Sequence, residues 1–354
     1  MGIIYSKQSI YIFLSVLAVC VTSSCASDPI VNEEGERVEL SFATSGATRA
    51  SVTADINTEG ARFAVCGDML KAESGNSDSK RVVIFNNTEV EYDGANWSYG
   101  ETRYWLPNYE YSFVAIHPAS LISEATVTDS QYSGSKLSFR YTIPMLEGDR
   151  INRVELSDII AATHRRKYND DGYLSASPVN LNFFHTLSRI NFLLEYEGQA
   201  ETVTITKIEL EGVDKTATFT LVPAPLLDSG IRTDDYALSW SDLSDRGTLI
   251  ADINTDVSTG ETQSLCPDND ALFMIPQPDN NGIIMKISYV YDRSDDSEEQ
   301  TLTAQTPIGG WEAGKIYSYF ITLNIVEEKV NMIFDVNVTD WKEGASTDIS
   351  VPRK

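Results

Sequence analysis

Only three histidines and four cysteines occur among the 354 residues, so the side chains that most often carry nucleophilic, general-base or metal chemistry are scarce. His117, His164 and His185 stand without an HExxH, GxSxG, Walker or GxGxxG sequence around them. His117 precedes Pro118 at a strand end, and His185 lies among apolar neighbours in Asn182-Phe-Phe-His-Thr-Leu187; both read as hydrogen-bonded structural side chains. No CxxC pair exists, which leaves zinc and dithiol redox chemistry unsupported. Cys66, in the strand-like run Arg62-Phe-Ala-Val-Cys66, reads as a small core hydrophobe, and Cys266 is too distant in sequence to form a local staple with it. Positive charge is also short: 27 Lys and Arg stand against 52 Asp and Glu, a formal net charge of −25. That balance opposes binding to nucleic acid and to anionic membrane surfaces. Carboxylates are so abundant that no glycosidase-like pair stands out. Asp268-Asn-Asp270, Asp279-Asn-Asn281 and Asn169-Asp-Asp-Gly172 offer oxygen ligands, but none has the spacing of a calcium loop with its distant glutamate, and they read as solvated turns. No catalytic residue, metal ligand or cofactor is expected, and the chain does not read as an enzyme.

Helical periodicity is almost absent too. Short alternating or apolar runs recur instead, separated by Gly, Asn, Asp and Pro. Examples are Arg81 to Phe85, Tyr111 to Ile116, Lys136 to Ile143, Arg189 to Leu194, Val203 to Leu210, Ala217 to Leu221, Ile283 to Tyr291 and Tyr317 to Leu323. Such spacing predicts an all-β protein of sandwich type with few short helices. Asp93-Gly94 and Asn281-Gly282 are hairpin-type turn pairs. One short helix is expected around Leu156 to Thr163, and Arg165 to Pro178 reads as a loop between domains. With 42% hydrophobic residues the chain can bury more than one core. The expected division is 38–179 for the first sandwich and 180–354 for the second.

The start of the chain reads as an export signal over 1–24. Lys7 supplies the positive charge, Ile10 to Val21 the apolar core, and Thr22-Ser23-Ser24 the small residues before Cys25. The apolar core falls short of the roughly 20 residues of a membrane-spanning helix. Cys25 fits the lipid-acceptor position of a bacterial lipoprotein better than Cys20; the alternative is a plain secretory signal with an incidental cysteine. A diacylated, palmitate-bearing cysteine anchors stably to a membrane. Residues 25–37 then read as a polar, acidic tether. Seven aromatic residues cluster at Tyr92, Trp97, Tyr99, Tyr104, Trp105, Tyr109 and Tyr111. Trp105 and Tyr111 read as core. Trp97, Tyr99 and Tyr104, if exposed, would form a sugar-stacking platform, the mark of a surface glycan-binding lipoprotein.

Several stretches resemble the fimbrillin family of Bacteroidia, in order along the chain. They are Trp105-Leu-Pro-Asn-Tyr-Glu-Tyr-Ser-Phe-Val-Ala-Ile-His-Pro118, Asp158-Ile-Ile-Ala-Ala162, Phe184-His-Thr-Leu-Ser-Arg-Ile-Asn-Phe192, Met274-Ile-Pro-Gln277, Trp311-Glu-Ala-Gly-Lys-Ile-Tyr-Ser-Tyr319 and Val338-Thr-Asp-Trp-Lys-Glu-Gly344. The resemblance implies two tandem transthyretin-like β-sandwich domains in an outer-membrane lipoprotein precursor. It also implies cleavage by a trypsin-like, Arg-specific protease and polymerisation by strand exchange into an adhesive cell-surface fimbrium. Its partners would be other copies of the chain or related fimbrial subunits, with the membrane reached only through the lipid. Carried onto this sequence, the cut falls between Arg49 and Ala50. Arg37 precedes the candidate strand, so cutting there would not release it, and Arg62 lies inside the next one.

The physics of exchange can be read from the residues. Val38, Leu40 and Phe42 alternate with Glu39 and Ser41, giving the removable strand 38–43 one apolar face. Burying three such side chains returns about 5–8 kcal/mol before entropy costs. A freed groove would be a template for another chain. The donor candidate lies at the C-terminal end, about 336–351, where Val336 and Val338, then Ile349 and Val351, repeat the alternation. An Arg49 cut together with such a donor leans toward a stalk subunit rather than a tip or an anchor.

Overall fold

The computed structural model describes residues 37–46, 56–71, 81–124, 127–168, 178–198, 202–227, 232–267, 270–278, 282–291, 298–307, 310–326 and 329–341. Nineteen strands are present among them, with one helical element, the 3-10 turn Ala119–Ser123. In the first half they are β1 (Phe42–Gly46), β2 (Arg62–Lys71), β3 (Val82–Tyr92), β4 (Trp97–Ser98), β5 (Tyr109–His117), β6 (Val127–Ser133), β7 (Lys136–Thr142), β8 (Ile160–Lys167) and β9 (Val179–His185). The second half holds β10 (Ser188–Gly198), β11 (Thr202–Pro223), β12 (Arg232–Thr233), β13 (Tyr236–Ser258), β14 (Thr262–Ser264) and β15 (Leu272–Met274). It closes with β16 (Ile284–Tyr291), β17 (Gln300–Gln305), β18 (Lys315–Val326) and β19 (Lys329–Asp340). The all-β architecture expected from the short alternating runs is the one observed.

Three sheets are formed. The first has the order β1-β9-β8-β5-β2-β3-β4, with β12 beside β8. The second runs β17-β16-β11-β7-β6, with β13 on β11, and the third β14-β10-β18-β19, with β15 on β10. The first sheet is buried on both faces at its centre. On one side Phe63, Val65, Phe113, Ala115, Ile160 and Ala162 face a compact aromatic core with Leu40, Phe42, Trp97 and Trp105. On the other, Ala64, Cys66, Val114, Ile116 and Ala161 join a larger core with Leu137, Phe139 and Tyr141 of β7 and the apolar faces of the second and third sheets. A strand covered on two sides must be apolar at consecutive positions, which is why Phe63 to Cys66 and Phe113 to Ile116 are unbroken hydrophobic runs. Cys66 and Cys266 are both free and buried. Burial raises both thiols, Cys266 to about 12, which keeps them protonated and inert.

Three sequence expectations are corrected here. The stretch Leu156 to Thr163 is not helical: from Ile160 it is β8, with Ile160 and Ala161 opposite His117 and Ile116 of β5 on one side and opposite His185 and Phe184 of β9 on the other. Ile159 to Ala162 are all buried because they cover both faces of the sheet, a pattern that a buried helical turn would also produce. The strand continues to Lys167 and is followed by buried Tyr168, so the first residues of the expected Arg165 to Pro178 loop are strand instead, and 169–177 lie outside the described residues. The separate runs Val203 to Leu210 and Ala217 to Leu221 are parts of one long strand, β11, bent by register shifts at Ile205/Lys207, Glu211/Val213 and Thr216/Thr218.

Position 179, the expected domain boundary, opens β9, which belongs to the first sheet. The ladder between β7 and β11, from Leu137↔Leu221 to Thr142↔Thr216, joins strands from the two sides of that position. A polar clip ties the β6–β7 hairpin to the first sheet. The buried Asp68 carboxylate of β2 accepts from Tyr132 Oη at 3.0 Å, from Ser135 Oγ at 2.9 Å and from the Arg81 guanidinium at 2.6 Å. Charge-assisted bonds of this kind satisfy a carboxylate that would otherwise be costly to bury.

His164 on β8 is fully buried and shares a hydrogen bond of 2.8 Å between its Nδ1 and the Asp234 carboxylate. Burial lowers the affinity of the folded imidazole for a proton, and the Asp234 contact only partly opposes this. As pH falls below the ordinary histidine value of 6.5, the unfolded chain takes up the proton first, and stability held above that pH is lost. Urea unfolding at pH 7.5 and pH 5.5 is expected to show lower stability at the acid value, with a smaller difference in His164→Gln.

Candidate functional site

The start of the described chain closes the aromatic core. Leu40 N–H donates to the Arg103 carbonyl at 2.8 Å, and Trp105 N–H to the Val38 carbonyl at 3.1 Å. From Phe42 onward, β1 runs parallel to β9, in register from Phe42↔Val179 to Gly46↔Phe183. The regular strand thus starts later than the 38–43 alternation suggests, because 38–40 pairs with a different neighbour, the 103–105 segment. In both stretches the apolar side chains point where the alternation placed them. Leu40 is 2% exposed, Phe42 5% exposed, and Val38 is half-buried against the same core.

Phe42 sits in a box of four rings. Its ring centroid lies 5.9 Å from Phe63, 5.6 Å from Phe85, 5.7 Å from Tyr99 and 5.9 Å from Phe113, each in an edge-to-face arrangement. Such pairs contribute about 0.5–1.5 kcal/mol beyond the area they bury. Polar contacts fix the backbone around this box. Tyr99 Oη donates to the Leu40 carbonyl, and burial raises the phenol so that it remains a donor. Trp97 Nε1 donates to Thr44 Oγ1 at 3.2 Å, and Thr44 Oγ1 donates to Asn57 Oδ1 at 2.8 Å. Ser45 Oγ donates to Asn182 Oδ1 on β9, and Asn182 Nδ2 reaches the Asp234 carboxylate at 3.1 Å. Sequence reasoning found the apolar triplet and missed these pins. Ala43-Thr-Ser-Gly46 reads locally as the start of a turn, and the partners Asn182 and Asp234 are far away in sequence.

The aromatic cluster is mostly interior. Trp105 and Tyr111 are core residues, as expected. Trp97 is 8% exposed and Tyr99 packs on Phe42 and Phe85, so these two rings do not form an exposed sugar platform. Tyr104 is half-buried, with the Arg37 guanidinium 5.6 Å above its ring. Arg62 opens β2 opposite Glu91 and forms ion pairs with Glu89 and Glu91, within a paired strand.

At the other end, β19 pairs with β18 over twelve residues, from Lys315↔Asp340 to Val326↔Lys329, and forms the edge of the third sheet. Val336 lies opposite Tyr319 and is half-buried; Val338 lies opposite Tyr317 and is 40% exposed. Trp341 ends the described chain in a fixed position. Its ring stacks on His185 at 3.7 Å and on Phe273 at 5.6 Å, and the Trp341 backbone N–H donates to the Gly314 carbonyl at 2.8 Å. His185 Nδ1 meets the buried Asp158 carboxylate at 2.6 Å, a structural role like the one expected for it. Cys25, Arg49, Ala50, Ile349 and Val351 lie outside the described residues.

These features define an all-β protein built from three packed sheets. A family model described as fimbrillin-like matches residues 48–341, and the chain belongs to that family. Among solved structures it is similar to a fimbrial protein from Bacteroides vulgatus, at 15% identity and a TM-score of 0.59, over 86% of this chain and 99% of that one. It is also similar to a candidate cell adhesion protein from Bacteroides ovatus, at 16% identity and a TM-score of 0.50, over 89% of this chain and 98% of that one. At these identities the likeness establishes the fold. No curated protein matches the sequence. Membership of the family supports a role as a subunit of a cell-surface fimbrium.

The two ends of the site differ in how much they hold. Phe42→Ala is expected to destabilise the intact protein by about 3–5 kcal/mol, as for other buried phenylalanines, whereas Val338→Ala is expected to change stability by about 0.5 kcal/mol or less. Urea unfolding of both variants checks the contrast.

Proposed function

We propose that this protein is a fimbrial subunit that joins its neighbour by protease-triggered strand exchange. Cleavage after Arg49 by an Arg-specific protease separates β1 from β2, β1 leaves, and an extended segment of the adjoining subunit takes its place. The observation that carries this reading is the position of Phe42. It sits in the middle of a closed aromatic core, on a short strand that belongs to no hairpin among the described residues. Removing that strand would uncover the apolar surfaces now covered by Leu40 and Phe42. It would also free the backbone groups at Val179, Arg103 and Trp105 that now bond to 38–41. An open edge of this kind recruits another strand, with main-chain bonds for affinity and side-chain pockets for specificity.

The donor is the C-terminal region 336–351, and the precursor reaches the outer membrane as a lipoprotein anchored at Cys25. Insertion of one subunit's end into the next subunit's groove is a heterologous contact, which propagates as an open filament. The edge position of β19 and the exposure of Val338 suit a segment that continues away from its own sheet. The net charge of −25 keeps unassembled subunits apart.

Limited trypsin digestion of the purified precursor is expected to give a product beginning at Ala50 that forms filaments visible by electron microscopy, while Arg49→Gln stays uncut and monomeric. Removing 342–354 is expected to leave a folded protein that does not polymerise. A product that starts at Ala50 and remains monomeric at high concentration contradicts the proposal.

A further inference from the structure

We infer that the groove under β1 prefers an incoming strand with an aromatic residue at the Phe42 position and a hydroxyl residue two places later, so that a fimbrial subunit carrying such a strand outcompetes a second copy of this chain, which fills the groove only when no better donor is present. The inference rests on the strand-exchange reading and specifies its partner.

The contacts of β1 describe what the groove accepts. Phe42 meets four ring edges at 5.6–5.9 Å, and the box is closed by side chains of β2, β3, β5 and the segment after β4. These strands are held in the sheet by their own ladders, so the box cannot collapse around a smaller side chain without moving the sheet. An aliphatic residue would leave a void, and the loss grows with the volume left empty. Two residues further on, Thr44 supplies the acceptor for the largely buried Trp97 Nε1 and a proton for Asn57 Oδ1. At the next position, Ser45 donates to Asn182 Oδ1, which belongs to the network leading to Asp234. An apolar side chain at position 44 would strand the indole N–H, and a cation there would set donor against donor.

The chain's own donor region matches this pattern poorly. Within 336–351 the alternating pairs are Val336-x-Val338 and Ile349-x-Val351, aliphatic at the place where the box takes a ring. Two residues beyond Val338 stands Asp340, whose carboxylate can accept from Trp97 Nε1 but has no proton for Asn57 Oδ1, and two beyond Val351 stands Arg353, a donor set against the indole N–H. The groove therefore holds a second copy of this chain less tightly than a strand like β1, because the ring box is only part-filled and one of the two hydrogen bonds at position 44 is lost. A neighbouring subunit whose donor carries apolar-x-aromatic-x-Ser/Thr, entering parallel to β9, satisfies both.

The test exchanges labelled peptides into the trypsin-cleaved protein, with the intact protein as control. The probes are the 37–46 peptide, its Phe42→Val and Thr44→Val forms, and a 342–354 peptide; filament formation by the same cleaved sample is scored in parallel. The 37–46 peptide is expected to enter the cleaved protein and not the intact one. The Phe42→Val peptide should bind about tenfold more weakly or worse, the Thr44→Val peptide about threefold more weakly, and the 342–354 peptide no better than Phe42→Val. Equal binding of all four peptides overturns the selection and leaves strand exchange standing. Polymerisation of a cleaved protein that takes up no peptide overturns it as well. A cleaved protein that neither takes up peptide nor polymerises removes both the inference and the exchange reading beneath it.

Discussion

The edge-to-face packing around Phe42 is the contact on which the N-terminal core depends. Five rings, Phe42, Phe63, Phe85, Tyr99 and Phe113, come from separate stretches of chain, and Phe42 touches the other four. Its strand is held on one side by a five-residue parallel ladder to β9, while the preceding residues bond to 103–105. The apolar contribution is concentrated in two side chains, Leu40 and Phe42, each worth about 1.5–3 kcal/mol when fully buried. In the proposed assembly, detaching this strand would uncover the core that Leu40 and Phe42 now close.

The body of the molecule has the opposite character. β2, β5 and β8 are covered on both faces, and the β6–β7 hairpin is bonded to the first sheet through Asp68 and to the second through the β7–β11 ladder. β10 and β18 pair in parallel over ten residues and carry the third sheet. Trp341, stacked on His185 of β9 and Phe273 of β15, joins the first sheet to the third.

Much of this was legible in the sequence because alternation and burial share one cause. Val38, Leu40 and Phe42 face one core since successive side chains of an extended chain point to opposite sides. Trp105 and Tyr111 were readable as interior from their size and apolar setting. Other parts were hidden. The run Ile159 to Ala162 is apolar at every position because two cores meet across β8, and a continuous run does not distinguish strand from helix. The long strand β13 escaped notice because Asp242 and Asn254 adopt positive φ, breaking the alternation at register shifts where it pairs with β11. The pins on Thr44 and Ser45 depend on Asn57, Trp97 and Asn182, brought together only by the folded sheet.

Ala43 and Asn180 are register partners across the parallel β1–β9 pair, and the two native cysteines described here are buried. Adjacent positions of this kind lie within disulfide reach. Introducing Ala43→Cys with Asn180→Cys locks β1 to the sheet even after the chain is cut. The decisive measurement is filament formation by this protease-cleaved double variant, followed by light scattering before and after addition of a reductant. The account predicts monomers while the bond is closed and polymerisation once it is reduced. Filaments that grow equally well with the bond intact would show that β1 never has to leave.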